Sequence, residues 1–239
     1  DQYSSIFTFY THMFDGIYPK GNFSWHHLWF IVYLFVIALI ISPFLNILRS
    51  SRFMAIVGNL EHTFTKPFGL NLVIIPLLIS QVILRNFFEQ ETHDLVNDWA
   101  TITYYLIFFL SGFISLPVRS IAGAMTRHRR LYLAETALMM VVMLLVRGKV
   151  ESVRAAEVAY DVASIVMSWT CAVAVTGYGR KYLDRNTPFR KTANEAIYPF
   201  YLLHQPVLVV TGYLVVRLEI PVLLKVALIM ASSLIFIVS

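Results

Sequence analysis

Residues 28–48 read LWFIVYLFVIALIISPFLNIL and contain no Asp, Glu, Lys, Arg or His. At about 1.5 Å of rise per residue, a helix of this length crosses the roughly 30 Å hydrocarbon core of a bilayer. Working outward, six further apolar runs follow, near 68–84, 99–118, 130–147, 156–178, 196–216 and 222–238. The composition agrees: 58% of the residues are hydrophobic, 14% are charged and the mean hydropathy is +0.67, whereas a soluble domain carries about 25% charged residues. The expected fold is therefore all-α, a polytopic transmembrane helix bundle with about seven spans. Continuous runs argue against a β-barrel, whose strands alternate apolar and polar positions over about ten residues. No fixed-period repeat and no Pro-rich or Ser-rich linker divides the chain, so residues 1–239 are expected to form a single membrane domain.

Before the first run, residues 1–27 mix aromatic side chains with Asp15, Gly16, Pro19 and Gly21. Such a stretch cannot span, and its rings suit an outer interfacial segment. Alternating sides from there puts twelve of the nineteen Lys and Arg residues on one side, including Arg49, Arg52, the Arg127-His128-Arg129-Arg130 cluster and Lys191. By the positive-inside rule that side is cytoplasmic, which leaves His27 and the acidic loop Glu89, Glu91, Asp94, Asp98 outside. The net charge of +5 is accounted for by basic loops near anionic lipid, so nucleic-acid binding is not required. Cys171 is the only cysteine, which excludes an intrachain disulfide and a cysteine-based metal cluster, and its apolar run predicts a small buried hydrophobe. The same fact sets aside a seven-helix receptor, because no cysteine pair is present to staple outer loops. Asp1 at the start and an apolar run reaching Ser239 are read as the two ends of a fragment.

Two histidine sites stand out, since an imidazole inside a bilayer packs against protein, a cavity or a substrate path. At the outer start of the first run lies His26-His27-Leu28-Trp29-Phe30. Position alone makes Trp25, Trp29 and Tyr33 an aromatic belt, while the adjoining histidines point to proton exchange with outside water. The sixth run reads Asn194-Glu195-Ala196-Ile197-Tyr198-Pro199-Phe200-Tyr201-Leu202-Leu203-His204-Gln205-Pro206. Asn194, Tyr198, Tyr201 and Gln205 follow helical spacing, and this stripe is expected to face protein. Pro206 removes one amide donor, which predicts a kink and a free carbonyl at Leu202 beside His204. Either a polar cavity or an ordinary polar contact between helices fits that pattern. Asp161 is expected to snorkel to the outer surface or pair with Arg154, Glu135 lies within reach of Arg127 to Arg130, and that basic cluster is open to phosphate binding. No phosphate-cradling glycine loop, nucleophile elbow or metal-binding motif appears, so no metal site is expected.

His27-Leu28-Trp29-Phe30 on one run, followed by Asn194, Tyr198, Tyr201, Leu202, Leu203, His204 and Pro206 on another, resembles the type-3 membrane acyltransferases. The likeness covers nearly the whole chain. It implies a bacterial cytoplasmic-membrane enzyme, multi-pass, that takes an acetyl or succinyl group from a cytoplasmic acyl-CoA and places it on a hydroxyl of a cell-surface or periplasmic glycan. It also implies that no cofactor is held, that acyl-CoA is the donor substrate, and that the glycan acceptor and membrane lipid are the partners. His27 and Trp29 would shape the outer acceptor mouth. His204, Tyr201 and Gln205, with Asn194, would line the acyl path. The family's arginine and catalytic histidine have no counterpart here, so the main base is expected outside this sequence, with His204 and His27 as the remaining catalytic candidates. The alternative from the residues alone is a proton-coupled transporter or channel built on Pro206, His204 and Asp161.

Overall fold

The structure, a computed structural model, describes residues 6–16, 28–88, 91–93, 95–115, 117–150 and 152–238. Among these residues it is all-helical, and they form two compact units divided after Tyr182. Four helical stretches are long and apolar enough to cross a membrane: Trp29–Leu48, Arg119–Lys149, Arg154–Tyr182 and Arg190–Val216. The other three expected runs are helical but shorter, at Gly69–Leu84, Trp99–Ser115 and Val222–Ser233. Large apolar side chains lie open on these helices, among them Phe35 (62% exposed), Leu145 (74%) and Val209 (63%). A helix apolar on all sides, with its outer face uncovered, has hydrocarbon rather than water as its natural surroundings.

In the first unit α1 (Ile6–Thr11) precedes α2 (Trp29–Ile41). Pro43 cannot continue the helical ladder, and a 3-10 turn at Ser42–Phe44 leads into the short α3 (Leu45–Leu48). Next comes α4 (Ser51–Phe64), amphipathic and capped by Ser50, whose Oγ accepts from the Phe53 N–H at 3.3 Å. A left-handed Phe68 (φ 62°) then reverses the chain. Only glycine fits the next position, because a Cβ on Gly69 would lie 2.0 Å from the Thr63 carbonyl oxygen.

Five residues of 3-10 helix, Gly69–Val73, open α5 (Ile74–Leu84). This explains why the run near 68–84 yields less α-helix than its apolar length predicts. Backbone groups outside an α-helix need other partners at membrane depth. Leu70 finds them on both sides: its N–H donates to the Tyr132 hydroxyl (3.2 Å), and its carbonyl accepts from the Trp169 Nε1–H (2.9 Å).

The unit continues with α6 (Trp99–Ser115), α7 (Arg119–Val146) and α8 (Arg154–Tyr182). α7 and α8 form a long antiparallel pair, joined near mid-length by Thr136 and Thr170 hydroxyls 2.9 Å apart. Gly177 lets them approach: a Cβ there would lie 2.3 Å from the Met125 carbonyl oxygen. One buried cluster gathers Leu70, Leu77, Ile121, Tyr132 and Trp169 from α5, α7, α8 and the 3-10 segment. A second packs Tyr33, Ile37 and Ile41 of α2 against Ile102 of α6.

The second unit is a hairpin of α9 (Pro188–Val216) and α10 (Val222–Val238). Thr187 caps α9 by accepting from the Arg190 N–H at 3.2 Å, with Pro188 in the first turn where a missing N–H costs nothing. The helix runs unbroken through Pro199 and Pro206. Thr211 and Ser233 are buried and share a hydrogen bond of 3.0 Å between the two helices. Lys225 donates to the Val216 carbonyl at 2.8 Å and so satisfies one open end of α9.

Candidate functional site

Asp98 is the residue just before α6, and its carbonyl accepts the first helical bond from the Ile102 N–H at 3.0 Å. Aspartate is favoured there because the open N–H groups at a helix start attract negative charge. Its side chain, however, turns to partners outside the helix. It is fully buried, and Oδ2 accepts from the Tyr33 hydroxyl at 2.7 Å and from the His93 backbone N–H at 3.2 Å. The other oxygen, Oδ1, is buried with no hydrogen-bond partner among the described residues, as is the Thr92 hydroxyl.

The segment leading to Asp98 is wound unusually: His93 (φ 54°) and Leu95 (φ 67°) both adopt the left-handed region. Each such non-glycine residue costs on the order of 1 kcal/mol or more and persists only where its surroundings impose it. Here the winding brings the His93 N–H to the carboxylate and its imidazole onto Trp29, with ring centroids 4.3 Å apart. Trp29 also meets Tyr33 edge-on at 5.6 Å and Tyr105 at 5.8 Å. The result is an aromatic box of Trp29, Tyr33, His93 and Tyr105 built over a buried carboxylate.

A second polar chain braces the same end of the unit. Gln81 of α5 donates to the Ala100 carbonyl at 3.0 Å and accepts from the Arg85 Nε–H at 3.1 Å. Arg85 reaches on to Glu91 (3.0 Å) and to the Thr101 hydroxyl (3.4 Å). The acidic loop thus divides in two. Glu91 pairs with Arg85 near water, Asp98 is sequestered, and Glu89 and Asp94 lie outside the described residues.

Of the residues expected to carry function, Trp29 is central to this box and half-buried. His26 and His27 lie outside the described residues. Asn194, Tyr201, His204 and Gln205 belong to the second unit, where Asn194, Tyr198 and Gln205 are exposed while Tyr201 and His204 are half-buried. His204 turns toward its own helix: Nδ1 donates to the Tyr201 carbonyl at 2.7 Å, and the ring stacks on Phe200 at 6.1 Å with planes 5° apart. Since a carbonyl only accepts, this bond puts the proton on Nδ1 and the basic lone pair of the neutral ring on Nε2. Leu202, expected to offer a free carbonyl, is not left without a partner.

Several expected pairings differ. Arg154 bonds Glu157 at 2.8 Å, one helical turn away, and Asp161 stays exposed. Glu135 accepts from the Asn71 amide at 2.7 Å rather than meeting the arginines. The basic cluster sits inside α7, which begins at Arg119 instead of near residue 130. There Arg129 is buried, donates to the Thr126 carbonyl at 2.6 Å, and stacks over Tyr178 and Tyr182 of α8 at 5.5 and 6.0 Å. Cys171 is exposed.

Sequence reasoning missed Tyr33, His93 and Asp98 as a set. The local signals were an aspartate directly before an apolar run and an aromatic pair four residues apart on α2. Nothing local announced that these would meet across 65 positions. Compared with protein-family models, with curated proteins and with solved structures, the chain matches none.

Proposed function

We propose that this chain belongs to an integral, multi-pass membrane O-acyltransferase of the bacterial cytoplasmic membrane. It moves an acetyl or succinyl group from a cytoplasmic acyl-CoA to a sugar hydroxyl of a cell-surface or periplasmic glycan. The observation that carries the reading is the close contact of the Trp29 and His93 rings beside the buried Asp98. An aromatic face suits the C–H surface of a sugar ring, and an imidazole beside it suits a hydroxyl that must lose a proton. Asp98 acts by positioning: its carboxylate fixes the His93 backbone and the Tyr33 hydroxyl, so the box is set before an acceptor arrives. His204, oriented by the Tyr201 carbonyl, is assigned to the acyl path together with Tyr201, Gln205 and Asn194. The type-3 acyltransferase resemblance of the Trp29 and His204 segments is the second support.

The test is label transfer from radioactive acetyl-CoA or succinyl-CoA to glycan, in membranes of cells expressing the gene that encodes this chain. His93→Gln is expected to lower transfer by roughly 10²-fold. Trp29→Ala and His204→Ala are also expected to lower it, with protein levels unchanged. Full transfer in all three variants overturns the assignment. Solute uptake driven by a pH gradient, with no label in glycan from either donor, favours the proton-coupled transporter or channel instead.

A further inference from the structure

At the opposite end of α2 and α6 from the aromatic box lies a cavity of about 710 Å³, walled by α3, α4 and α6. That volume is within the roughly 300–1,000 Å³ typical of sites that enclose a small molecule. Leu48, Met54, Phe109, Gly112 and Phe113 line it, and Arg49 is the one charged residue among the described residues that line it. Water gains little in such a space, because apolar walls offer it no hydrogen bonds. An alkyl chain fits the walls, and the cation selects what the chain must carry.

Arg49 directly follows the apolar run of residues 28–48, the depth at which a spanning helix meets phosphate headgroups. Its guanidinium lies over the Phe113 ring, 5.8 Å from the centroid, and makes no hydrogen bond or ion pair among the described residues. Stacking holds the group while leaving its N–H edge available, which matches the planar, two-pronged way guanidinium binds phosphate. The same end of this unit carries Arg52 at the start of α4 and Arg119 at the start of α7, whereas the box end carries Asp98 and Glu91. Anionic lipid is drawn to such a basic end.

We infer that this cavity is a specific site for an anionic glycerophospholipid, with its phosphate on Arg49 and one acyl chain among Phe109, Gly112 and Phe113. The inference does not depend on the acyltransferase reading. Gly112 makes it testable, because a Cβ added there meets nothing within 4 Å, so a larger side chain enters the cavity without striking backbone.

The experiment is native mass spectrometry of the purified chain in mild detergent, titrated with palmitoyl-oleoyl phosphatidylglycerol or the phosphatidylcholine of the same chains. Wild type is expected to retain phosphatidylglycerol in preference by roughly fivefold, and Arg49→Gln to lose that preference. Gly112→Leu is expected to abolish retention of both lipids with the helical circular dichroism unchanged. Met54→Trp, which fills the space from α4, serves the same purpose if Gly112→Leu does not fold. Undiminished phosphatidylglycerol binding in a folded cavity-filling variant overturns the proposal, as does an unchanged preference in Arg49→Gln. Palmitoyl-CoA binding that is lost on filling the cavity, while phosphatidylglycerol binding is not, also overturns it and assigns the cavity to a thioester.

Discussion

His93 and His204 are placed by opposite means. His93 sits on a left-handed backbone in a loop, its N–H on a buried carboxylate and its ring on Trp29. His204 sits inside a long regular helix, its Nδ1 bonded to a carbonyl one turn back and its ring stacked on a neighbour in the same helix. The first imidazole depends on residues far apart in sequence, Trp29, Tyr33 and Asp98. The second is oriented by residues within one turn, Phe200 and Tyr201. One lesson follows: a site assembled from distant parts is costly to disturb, whereas a site written into one helix can change with little effect on stability.

The sharpest way to break that contrast is Asp98→Ala. It removes the carboxylate that the Tyr33 hydroxyl and the His93 N–H share as acceptor, at roughly 1–3 kcal/mol for each bond lost. Thermal unfolding in detergent is expected to show a loss of roughly 2–6 kcal/mol. Asp98→Asn, which keeps an acceptor of the same shape, is expected to lose less. If Asp98→Ala unfolds like wild type, the carboxylate does not hold the box together.

Tyr33→Phe comes next. It removes one donor from a charge-assisted bond of 2.7 Å while preserving the ring packed against Trp29. Hydrogen bonds to charged groups contribute about 1.5–3 kcal/mol, so a loss near the lower figure is expected in the same measurement. A fall in glycan labelling together with this loss ties the box to transfer, whereas unaltered labelling confines Tyr33 to the fold.

His93→Gly sets two effects against each other. Glycine accepts a φ of 54° without strain, which favours the variant by on the order of 1 kcal/mol. It also forfeits the ring contact with Trp29, at about 0.5–1.5 kcal/mol. Net stability is therefore expected within about 1 kcal/mol of wild type. Only the imidazole is removed, so loss of transfer in this stable variant isolates the chemistry of His93.

How much of this was legible in the sequence follows the same division. The helices were readable because each apolar run declares itself within about twenty residues, and the local content of α9, from Asn194 to Pro206, was readable for the same reason. Trp29 stood out as an interfacial ring. Asp98 looked like one acid in a loop of four, since burial is decided by Tyr33 on another helix. Glu135 has arginines close by in sequence, yet its partner, Asn71, lies 64 positions away. The 3-10 opening of α5 was hidden as well, because the Tyr132 and Trp169 side chains that make it tolerable belong to α7 and α8. Periodicity reports what one element wants, and says nothing of which element will answer it.

The smallest expected effect falls on the other histidine. His204→Phe keeps a ring to stack on Phe200 and removes the Nδ1–H bond to the Tyr201 carbonyl. That carbonyl is the helical acceptor for the Gln205 N–H, so it is not orphaned when the imidazole goes. A polar contact of this kind in a membrane helix contributes about 0.6 kcal/mol on average, and a stability change no larger is expected. The comparison with Asp98→Ala then becomes decisive. If both variants abolish glycan labelling, Asp98 acts through the fold it holds and His204 acts through its own nitrogen, since stability falls in the one and stays level in the other. If His204→Phe transfers normally, the second histidine is a helical neighbour of Phe200 with no part in the chemistry, and the acyl path must be sought along other side chains.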